Sequence, residues 1–239
     1  CNQALQFILN KEVRTPNDLL GLSYVKEVVH NQYPISMHCI KRTNDYHAKN
    51  IERISSATSL RIALKQGIDV SHQLPGYNTY KDSHFFTLEE FYPYLKYLIT
   101  FTPLEGLHMI EEGLDDRLYK VNQETYSLEE LINSLTSKRY TRSRIQRMLI
   151  HILLHNTKEE MKKAMDIDYI HILGLSASGQ RYIKTAKKNT EYKIITNITK
   201  HKHLALDIEK RGAQLLDLVN PGFFKETIKA IPYRKIDLK

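Results

Sequence analysis

A run of small hydroxyl residues near position 56 has the composition of an anion-binding helix start. Residues 54–61 read Ile-Ser-Ser-Ala-Thr-Ser-Leu-Arg, so Ser56 and Thr58 open an amphipathic helix and Arg61 lies on its first turn. The first N–H groups of a helix lack intrahelical partners and carry the positive end of the peptide dipole. Hydroxyl donors and a guanidinium at this place favour a bound phosphate. An ordinary capped surface helix is the alternative explanation.

A cationic cluster lies farther along the chain, within residues 138–147. Its members are five cations and one tyrosine: Lys138, Arg139, Tyr140, Arg142, Arg144 and Arg147. An apolar stripe that begins at Ile145 predicts a helix here, with Arg144 and Arg147 on the side opposite the stripe. Such cations favour RNA phosphates, and Tyr140 has the ring needed to stack on an unpaired base. A solvated charged helix face remains the alternative.

Upstream segments indicate what positions the hydroxyl-rich helix. Pro16 followed by Asn17 predicts a helix start, and the apolar run Ile35 to Arg42 predicts a buried strand with a basic end. The order of helix, strand, basic loop and capped helix is typical of the second half of a Rossmann-like unit, where ligands bind at the carboxyl ends of the strands. We therefore expect Arg42 to face the same crevice as Arg61.

These segments resemble the bacterial tRNA(Met) cytidine acetate ligases, a family of the HIGH-motif nucleotidyltransferase superfamily. The matching stretches are Pro16 to Gly21, Ile40 to Arg42, Ser55 to Arg61 and Ser137 to Leu149. The resemblance implies an enzyme that uses ATP, accompanied by Mg²⁺, to activate acetate as acetyl-adenylate. The acetyl group then passes to N4 of the wobble cytidine of elongator tRNA(Met).

The same resemblance implies a role for each cluster. It places ATP against Asn17, Arg42, Ser56, Thr58 and Arg61, and tRNA against the cationic cluster at residues 138–147. The family begins with a strand and an Asn-Pro-Phe-His-x-Gly-His type sequence whose histidines face the ATP phosphates, and none of the 239 residues forms such a motif. The chain is therefore expected to be a C-terminal fragment that is inactive in adenylation by itself, and no catalytic residue is assigned.

Composition fits a globular protein with a polyanionic partner. The chain is 41% hydrophobic and 26% charged, with a formal charge of +8 and a pI near 9.2. Excess Lys and Arg favours phosphate-rich partners, although charge alone does not establish RNA binding. Two cysteines offer neither a disulfide framework nor a zinc site, which suits a reducing cytoplasm. No apolar stretch reaches the length of a membrane span and no signal peptide is present, so a cytoplasmic location without a membrane partner is expected.

The predicted fold class is α/β with two parts. Residues 1–75 are expected to form the second half of a Rossmann-like nucleotidyltransferase domain that binds ATP, and residues 76–239 a mainly helical, tRNA-contacting domain with a small βαβ element. Capping-box patterns at Thr87–Glu90 and Ser127–Glu130 predict two helix starts. Apolar residues at steps of three and four predict another helix over Gly106–Tyr119.

The βαβ element is expected between residues 169 and 196. Tyr169–Leu175 and Tyr192–Thr196 have the composition of strands, and the basic segment Gln180–Lys188 has that of a helix. The glycine- and serine-rich turn at Gly174–Gly179 lacks the Gly-Lys-Ser/Thr ending of a nucleotide loop. It is either a structural turn or a place where the following cations meet a nucleic-acid backbone. A helix over Leu204–Leu218 follows.

Three polar groups are weak candidates for metal binding. His151 and His155 lie four residues apart, but the glutamate of the metalloprotease motif is missing and both flank an apolar stripe. The segment His201–His203 is expected to be an exposed polar turn. A solvated helix surface is expected for the acidic residues Glu111, Glu112, Asp115 and Asp116. No protein metal site is therefore predicted.

Two other classes of function stay open. A nucleotidyltransferase acting on a small cofactor precursor would keep the hydroxyl-rich helix start but would have no need of the cluster at residues 138–147. A non-catalytic RNA-binding module would keep that cluster but would give Asn17, Arg42 and Arg61 no reason to converge. Pyrophosphate exchange and salt-dependent tRNA binding discriminate between these classes.

Overall fold

The computed structural model divides the chain into two compact units, residues 1–83 and 84–239. It describes residues 16–40, 51, 54–74, 77–80, 84–111 and 113–229. The functional boundary expected after residue 75 stays a prediction.

The described part of the first unit is helical. Its helices are α1 (Pro16–His30), α2 (Ala57–Lys65) and the single turn α3 (Tyr77–Tyr80). Pro16 occupies the first position of α1, where its fixed φ suits a helix and its missing N–H costs no hydrogen bond. Asn17 and Asp18, of which either is a possible cap by residue type, both lie inside the first turn instead. The predicted helix start at Ser56 is confirmed.

The strand predicted at Ile35–Arg42 is not found in its described part, residues 35–40. These residues have no regular secondary structure, and Ile35 and Ile40 are 57% and 96% exposed. A strand forms when a neighbouring strand accepts its backbone hydrogen bonds and other elements cover its side chains. No segment of the first unit that the structure describes is a strand, so the apolar run has no pairing partner there.

The second unit is built around four helices and a shared core. In order it contains a 3₁₀ turn (Leu88–Phe91), α4 (Tyr92–Phe101), α5 (Leu114–Glu124), α6 (Leu128–Leu135), α7 (Arg142–Leu153) and α8 (Lys158–Ala164). Both predicted helix starts are confirmed. The N–H of Thr87 donates to Glu90 Oε1 at 2.6 Å, and the N–H of Glu130 donates to Ser127 Oγ at 3.2 Å. Apolar side chains of α4 to α7 meet in one buried cluster.

The helix predicted over Gly106–Tyr119 begins only at Leu114. Gly113 precedes it with a φ of 78°, and Met109 also has a positive φ of 68°. Left-handed residues interrupt a right-handed helix, so residues 104–111 form turns instead. Leu107 and Ile110 are nevertheless only 2% exposed, as the apolar spacing predicts. The expected burial is therefore confirmed, whereas the expected extent of the helix is wrong.

The predicted βαβ element is confirmed with shorter elements. Strands β1 (Tyr169–His171) and β2 (Lys193–Ile195) pair in parallel, and α9 (Ala177–Ala186) connects them. Two parallel strands need a crossover of this kind, because the chain must travel back along the sheet before the second strand can begin in the same direction. A 3₁₀ turn (Ile198–Lys200), α10 (Leu204–Asp217) and α11 (Phe223–Lys229) follow. No helix in the described ranges is long and apolar enough to cross a membrane.

Candidate functional site

The start of α2 has the local geometry of a capped helix. Ser56 is the N-cap, its Oγ accepts a hydrogen bond from the N–H of Ser59 at 3.1 Å, and only 3% of Ser56 is exposed. Ser59 Oγ donates to the carbonyl of Ser56 at 2.8 Å. Thr58 and Arg61 are exposed and three residues apart, so they lie on one side of the helix, although Arg61 begins the second turn and not the first turn expected from the sequence. A phosphate can therefore approach Thr58 and Arg61, whereas the hydroxyl of Ser56 is used as the N-cap of the helix.

Two other residues are assigned to ATP, and only one of them, Asn17, lies within the described part of the chain. Asn17 is exposed on the first turn of α1. Arg42 lies outside the described residues, so its convergence with Arg61 stays a prediction.

Glu111 is the acceptor for three residues of the cationic cluster. Arg139 Nη2 donates to its Oε2 at 2.9 Å, Tyr140 Oη donates to the same oxygen at 3.1 Å, and Arg144 Nη2 donates to its Oε1. The hydrogen bonds from Arg144 and Tyr140 are the main reasons that the pKa of Glu111 lies below its usual range. Glu111 is therefore an anchor for the cluster and not the solvated helix surface expected from the sequence.

Arg142 is held by a second carboxylate. Its two terminal nitrogens bind the two oxygens of Glu129, with Nη1 donating to Oε1 at 2.9 Å, and Nη1 also donates to Asn133 Oδ1 at 3.0 Å. This bidentate contact raises the pKa of Arg142 and lowers that of Glu129. Three of the five cations at residues 138–147 are thus paired within the chain.

Tyr140 occupies a structural position. It is 8% exposed, and the guanidinium carbons of Arg139 and Arg144 lie 5.3 and 5.0 Å from the centre of its ring. A base needs an accessible ring face on which to stack. The stacking role expected for Tyr140 is therefore not available to the side chain in this position.

Lys138 and Arg147 are the cations of the cluster that have no acidic partner among the described residues. Both are exposed, and neither side chain makes a hydrogen bond or ion pair with the described part of the chain. The pairing of their neighbours escaped sequence reasoning because Glu111 is 28 to 33 residues from its three partners. No local spacing rule connects residues that far apart.

A different set of cations lies on α9. The exposed residues Arg181, Lys184, Lys187 and Lys188 form no side-chain hydrogen bond or ion pair with any described residue. Ser176 caps this helix by accepting from the N–H of Gly179 at 3.1 Å. The turn at Gly174–Gly179 thus supplies the N-cap of α9.

The segment His201–His203 is not the exposed polar turn that the sequence suggests. His201 is 9% exposed, and its Nε2 lies 2.9 Å from Asp168 Oδ1. His203 caps α10, because its Nδ1 accepts from the N–H of Ala205 at 3.0 Å, while its Nε2 donates to the carbonyl of Asp166 at 2.8 Å. Both histidines fasten the βαβ element to α10.

His151 has partners other than a metal. Asn156 Nδ2 lies 3.1 Å from its Nδ1, and the ring of His108 meets its ring edge to face at 4.6 Å. Burial, then the nearby His108 and Arg147, lower the pKa of His151. Within the described ranges, no group of three His, Cys, Asp or Glu residues is arranged to hold a metal ion.

The class of this protein follows from its match to a known protein family. A family model described as HIGH Nucleotidyl Transferase matches residues 1–229. The chain belongs to this family.

Within the family, the chain resembles proteins named tRNA(Met) cytidine acetate ligase. It is 35% identical over 213 residues to the one from Geobacillus sp. (strain WCH70), which covers 81% of this chain and 53% of the relative. It is 31% identical over 227 residues to the one from Bacillus subtilis (strain 168), covering 87% and 55%. The chain thus spans about half the length of these curated relatives.

Two solved structures share the fold. Apo Thermotoga maritima TmcAL (form I) superposes with a TM-score of 0.74 at 23% identity, covering 92% of this chain and 60% of that one. The same protein bound with alpha-thio ATP (form II) gives a TM-score of 0.72 at 22% identity, with the same coverage.

Proposed function

We propose that the protein carrying this chain is a ligase that uses ATP and acetate to acetylate N4 of the wobble cytidine of elongator tRNA(Met). The observation that carries this proposal is the match to relatives of that name over 81% and 87% of the chain. The capped start of α2, with Thr58 and Arg61 exposed beside it, supports the ATP half of the proposal. A solved structure of the same fold is bound with alpha-thio ATP, which supports a nucleotide ligand.

The proposed first step is adenylate formation. The acetate carboxylate attacks the α-phosphorus of ATP, the bond to the β-phosphate breaks, and pyrophosphate leaves with its electron pair. Negative charge grows on the phosphate oxygens as this happens, and preorganised cations and N–H donors stabilise it without a covalent protein intermediate. Thr58, Arg61 and the start of α2 are the described groups assigned to this task, with Asn17 and Arg42 as the other proposed ATP contacts. Mg²⁺ would accompany the triphosphate.

The proposed second step transfers the acetyl group to RNA. The cytidine N4 attacks the carbonyl carbon of acetyl-adenylate, AMP leaves, and N4 loses a proton. Lys138 and Arg147 are accessible to the phosphates of tRNA as they stand. Arg139, Arg142 and Arg144 are also proposed to contact tRNA, and they would do so by exchanging Glu111 or Glu129 for phosphate.

Acetate-dependent exchange of pyrophosphate into ATP tests the first step. In the whole enzyme, Arg42→Ala and Arg61→Ala are expected to slow exchange about tenfold or more, because each removes a cation from a developing phosphate charge. Binding of tRNA is expected to stay unchanged in both variants. The control is Lys65→Ala, which removes one cation from the far end of α2.

The exchange assay also separates the competing functions. Wild-type exchange rates in both arginine variants would refute the assigned ATP site. Exchange that depends on another acid and not on acetate would favour a different nucleotidyltransferase. These 239 residues alone, which contain no histidine motif of the family type, are expected to release no pyrophosphate from ATP and acetate.

A further inference from the structure

Helix α9 and the turn after it present cations that no residue in the described part of the chain neutralises. Residues 177–193 contain five cations and a single acid, Glu191. Lys193 is the one cation of the five with an acidic partner among the described residues, at 3.8 Å from Asp168 Oδ2. The remaining four extend into solvent from α9 and the turn after it.

Helix geometry places two of these cations on one side of α9. At 100° per residue, Arg181 and Lys184 fall within about one sixth of a turn of each other, and Lys188 follows in the turn after the helix. Ile183 and Ala186 lie on the opposite side, and both are half-buried. The side of α9 that packs and the side that is charged are therefore separate surfaces.

An exposed aromatic side chain is the next residue after Arg181. Tyr182 is 72% exposed, and it lies about 100° around α9 from Arg181 and about 160° from Lys184, so its ring borders the charged side only next to Arg181. An exposed ring beside a row of cations is the combination that single-stranded RNA uses, since the cations follow the backbone and the ring stacks on a base. Tyr140 cannot supply this combination, because it is buried beneath Arg139 and Arg144.

The arrangement is less suited to an anionic lipid surface. A helix that lies in a membrane interface buries its apolar side among lipid chains and keeps its cations at the rim. In α9 the apolar residues Ile183 and Ala186 are already half-buried in the protein, and the outward side is polar. The surface that remains for a partner is thus suited to a chain of phosphates.

We propose that Arg181 and Lys184 on α9, with Lys188 in the turn after it, bind the phosphate backbone of tRNA, and that the neighbouring Tyr182 stacks on one unpaired base. This inference rests on the proposed function and adds a second RNA contact surface, distinct from residues 138–147. Neutralising a phosphate releases condensed counterions, so the contact contributes to the salt dependence of binding.

The test compares two triple variants of the full chain with the same loss of charge. One carries Arg181→Gln, Lys184→Gln and Lys188→Gln. The control carries Lys120→Gln, Lys158→Gln and Lys162→Gln, which are exposed lysines on α5 and α8. Affinity for a fluorescent elongator tRNA(Met) transcript is measured by anisotropy between about 50 and 200 mM salt.

The expected result is a change in slope confined to the α9 variant. Loss of three phosphate contacts should reduce the slope of log K against log salt by about two to three, whereas the control should reduce it by less than about one. Tyr182→Ala is expected to weaken binding about fivefold or more, and Tyr182→Phe to leave it unchanged, because the ring and not the hydroxyl stacks.

Several outcomes would overturn the inference. Equal slopes for the two triple variants, in a wild-type chain that binds tRNA, would refute the α9 surface and leave the proposed function standing. A wild-type chain that binds no tRNA would refute both. Wild-type binding to vesicles of phosphatidylserine and phosphatidylcholine that is lost in the α9 variant, with tRNA binding intact, would assign the face to lipid.

Discussion

Helices α7 and α9 both carry a basic face, but the cations of α7 are mostly paired and those of α9 are not. Arg142 and Arg144 on α7 and Arg139 just before it contact Glu111 or Glu129. On α9, Arg181 and Lys184 contact no acid within the described part of the chain. The two helices have similar charge in sequence and opposite availability in the fold.

The two helices also differ in how they are held. The apolar side of α7 contributes Ile145, Met148, Leu149 and Ile152 to the core, each at most 1% exposed. No residue of α9 is buried. Helix α7 is buried and most of its arginines are paired, so its main role is structural. Helix α9 lies on the surface with cations that have no acidic partner among the described residues, so its main role is to contact a partner molecule. Available charge, and not charge count, indicates where a polyanion binds.

The largest expected effect comes from removing the anchor of α7. Leu149→Ala should lower the free energy of unfolding by about 2–5 kcal/mol, through lost transfer energy and a cavity. The matched change on the other helix, Ile183→Ala, should cost less than about 1.5 kcal/mol, because that side chain is only half-buried. Urea unfolding followed by circular dichroism measures both. Equal losses would show that α9 is anchored as firmly as α7.

A smaller effect is expected from releasing the paired arginines. Glu111→Gln removes the charge that holds Arg139 and Arg144, so tRNA affinity should rise and the slope of log K against log salt should steepen by about one. The control Glu105→Gln removes the same charge from an exposed residue whose side chain makes no hydrogen bond or ion pair with the described part of the chain. Weaker tRNA binding in Glu111→Gln would mean that RNA requires the paired arrangement.

The Glu111→Gln variant is also expected to change how the stability of the fold depends on pH in the acidic range. Because the pKa of Glu111 is lowered in the folded state, its ionisation stabilises the fold above the unfolded pKa of about 4.3. That contribution is lost as pH falls through the folded-state pKa. The urea midpoints of wild type and Glu111→Gln should therefore differ at pH 7 and converge in acid, whereas Glu105→Gln should follow wild type throughout.

Local patterns predicted the helix starts and the core but not the long-range pairing. The caps at Ser56 and Ser127 follow from side chains bonding three residues ahead. The apolar spacing also identifies Leu107 and Ile110 as buried. The helix does not extend over them, because left-handed residues precede its start at Leu114. Cap rules and periodicity act within a few residues, so they succeed wherever the deciding contact is local.

The other failures depend on distant contacts. Tyr140 resembles a stacking residue in sequence, but Glu111, 29 residues away, accepts a hydrogen bond from its hydroxyl. His201 resembles a surface residue until Asp168, 33 residues away, lies beside its ring. The run at residues 35–40 resembles a strand, but a strand exists only with a pairing partner. Residue type gives the possible chemistry, whereas tertiary neighbours decide whether it is available.

The smallest expected effect is a difference between α7 and α9 in the pH dependence of stability. Burial, with His108 and Arg147 nearby, lowers the pKa of His151 on α7, while α9 contains no histidine. Since a lowered folded-state pKa favours the neutral ring, stability is full above the unfolded pKa of about 6.5 and declines as pH falls through the folded-state value.

His151→Gln should flatten the fall in urea midpoint between about pH 7.5 and 5, because the variant has no imidazole to protonate at this position. His38→Gln, at an exposed histidine, should retain the wild-type fall. An unchanged profile in His151→Gln would place the titrating group elsewhere and leave α7 without a pH-dependent contact.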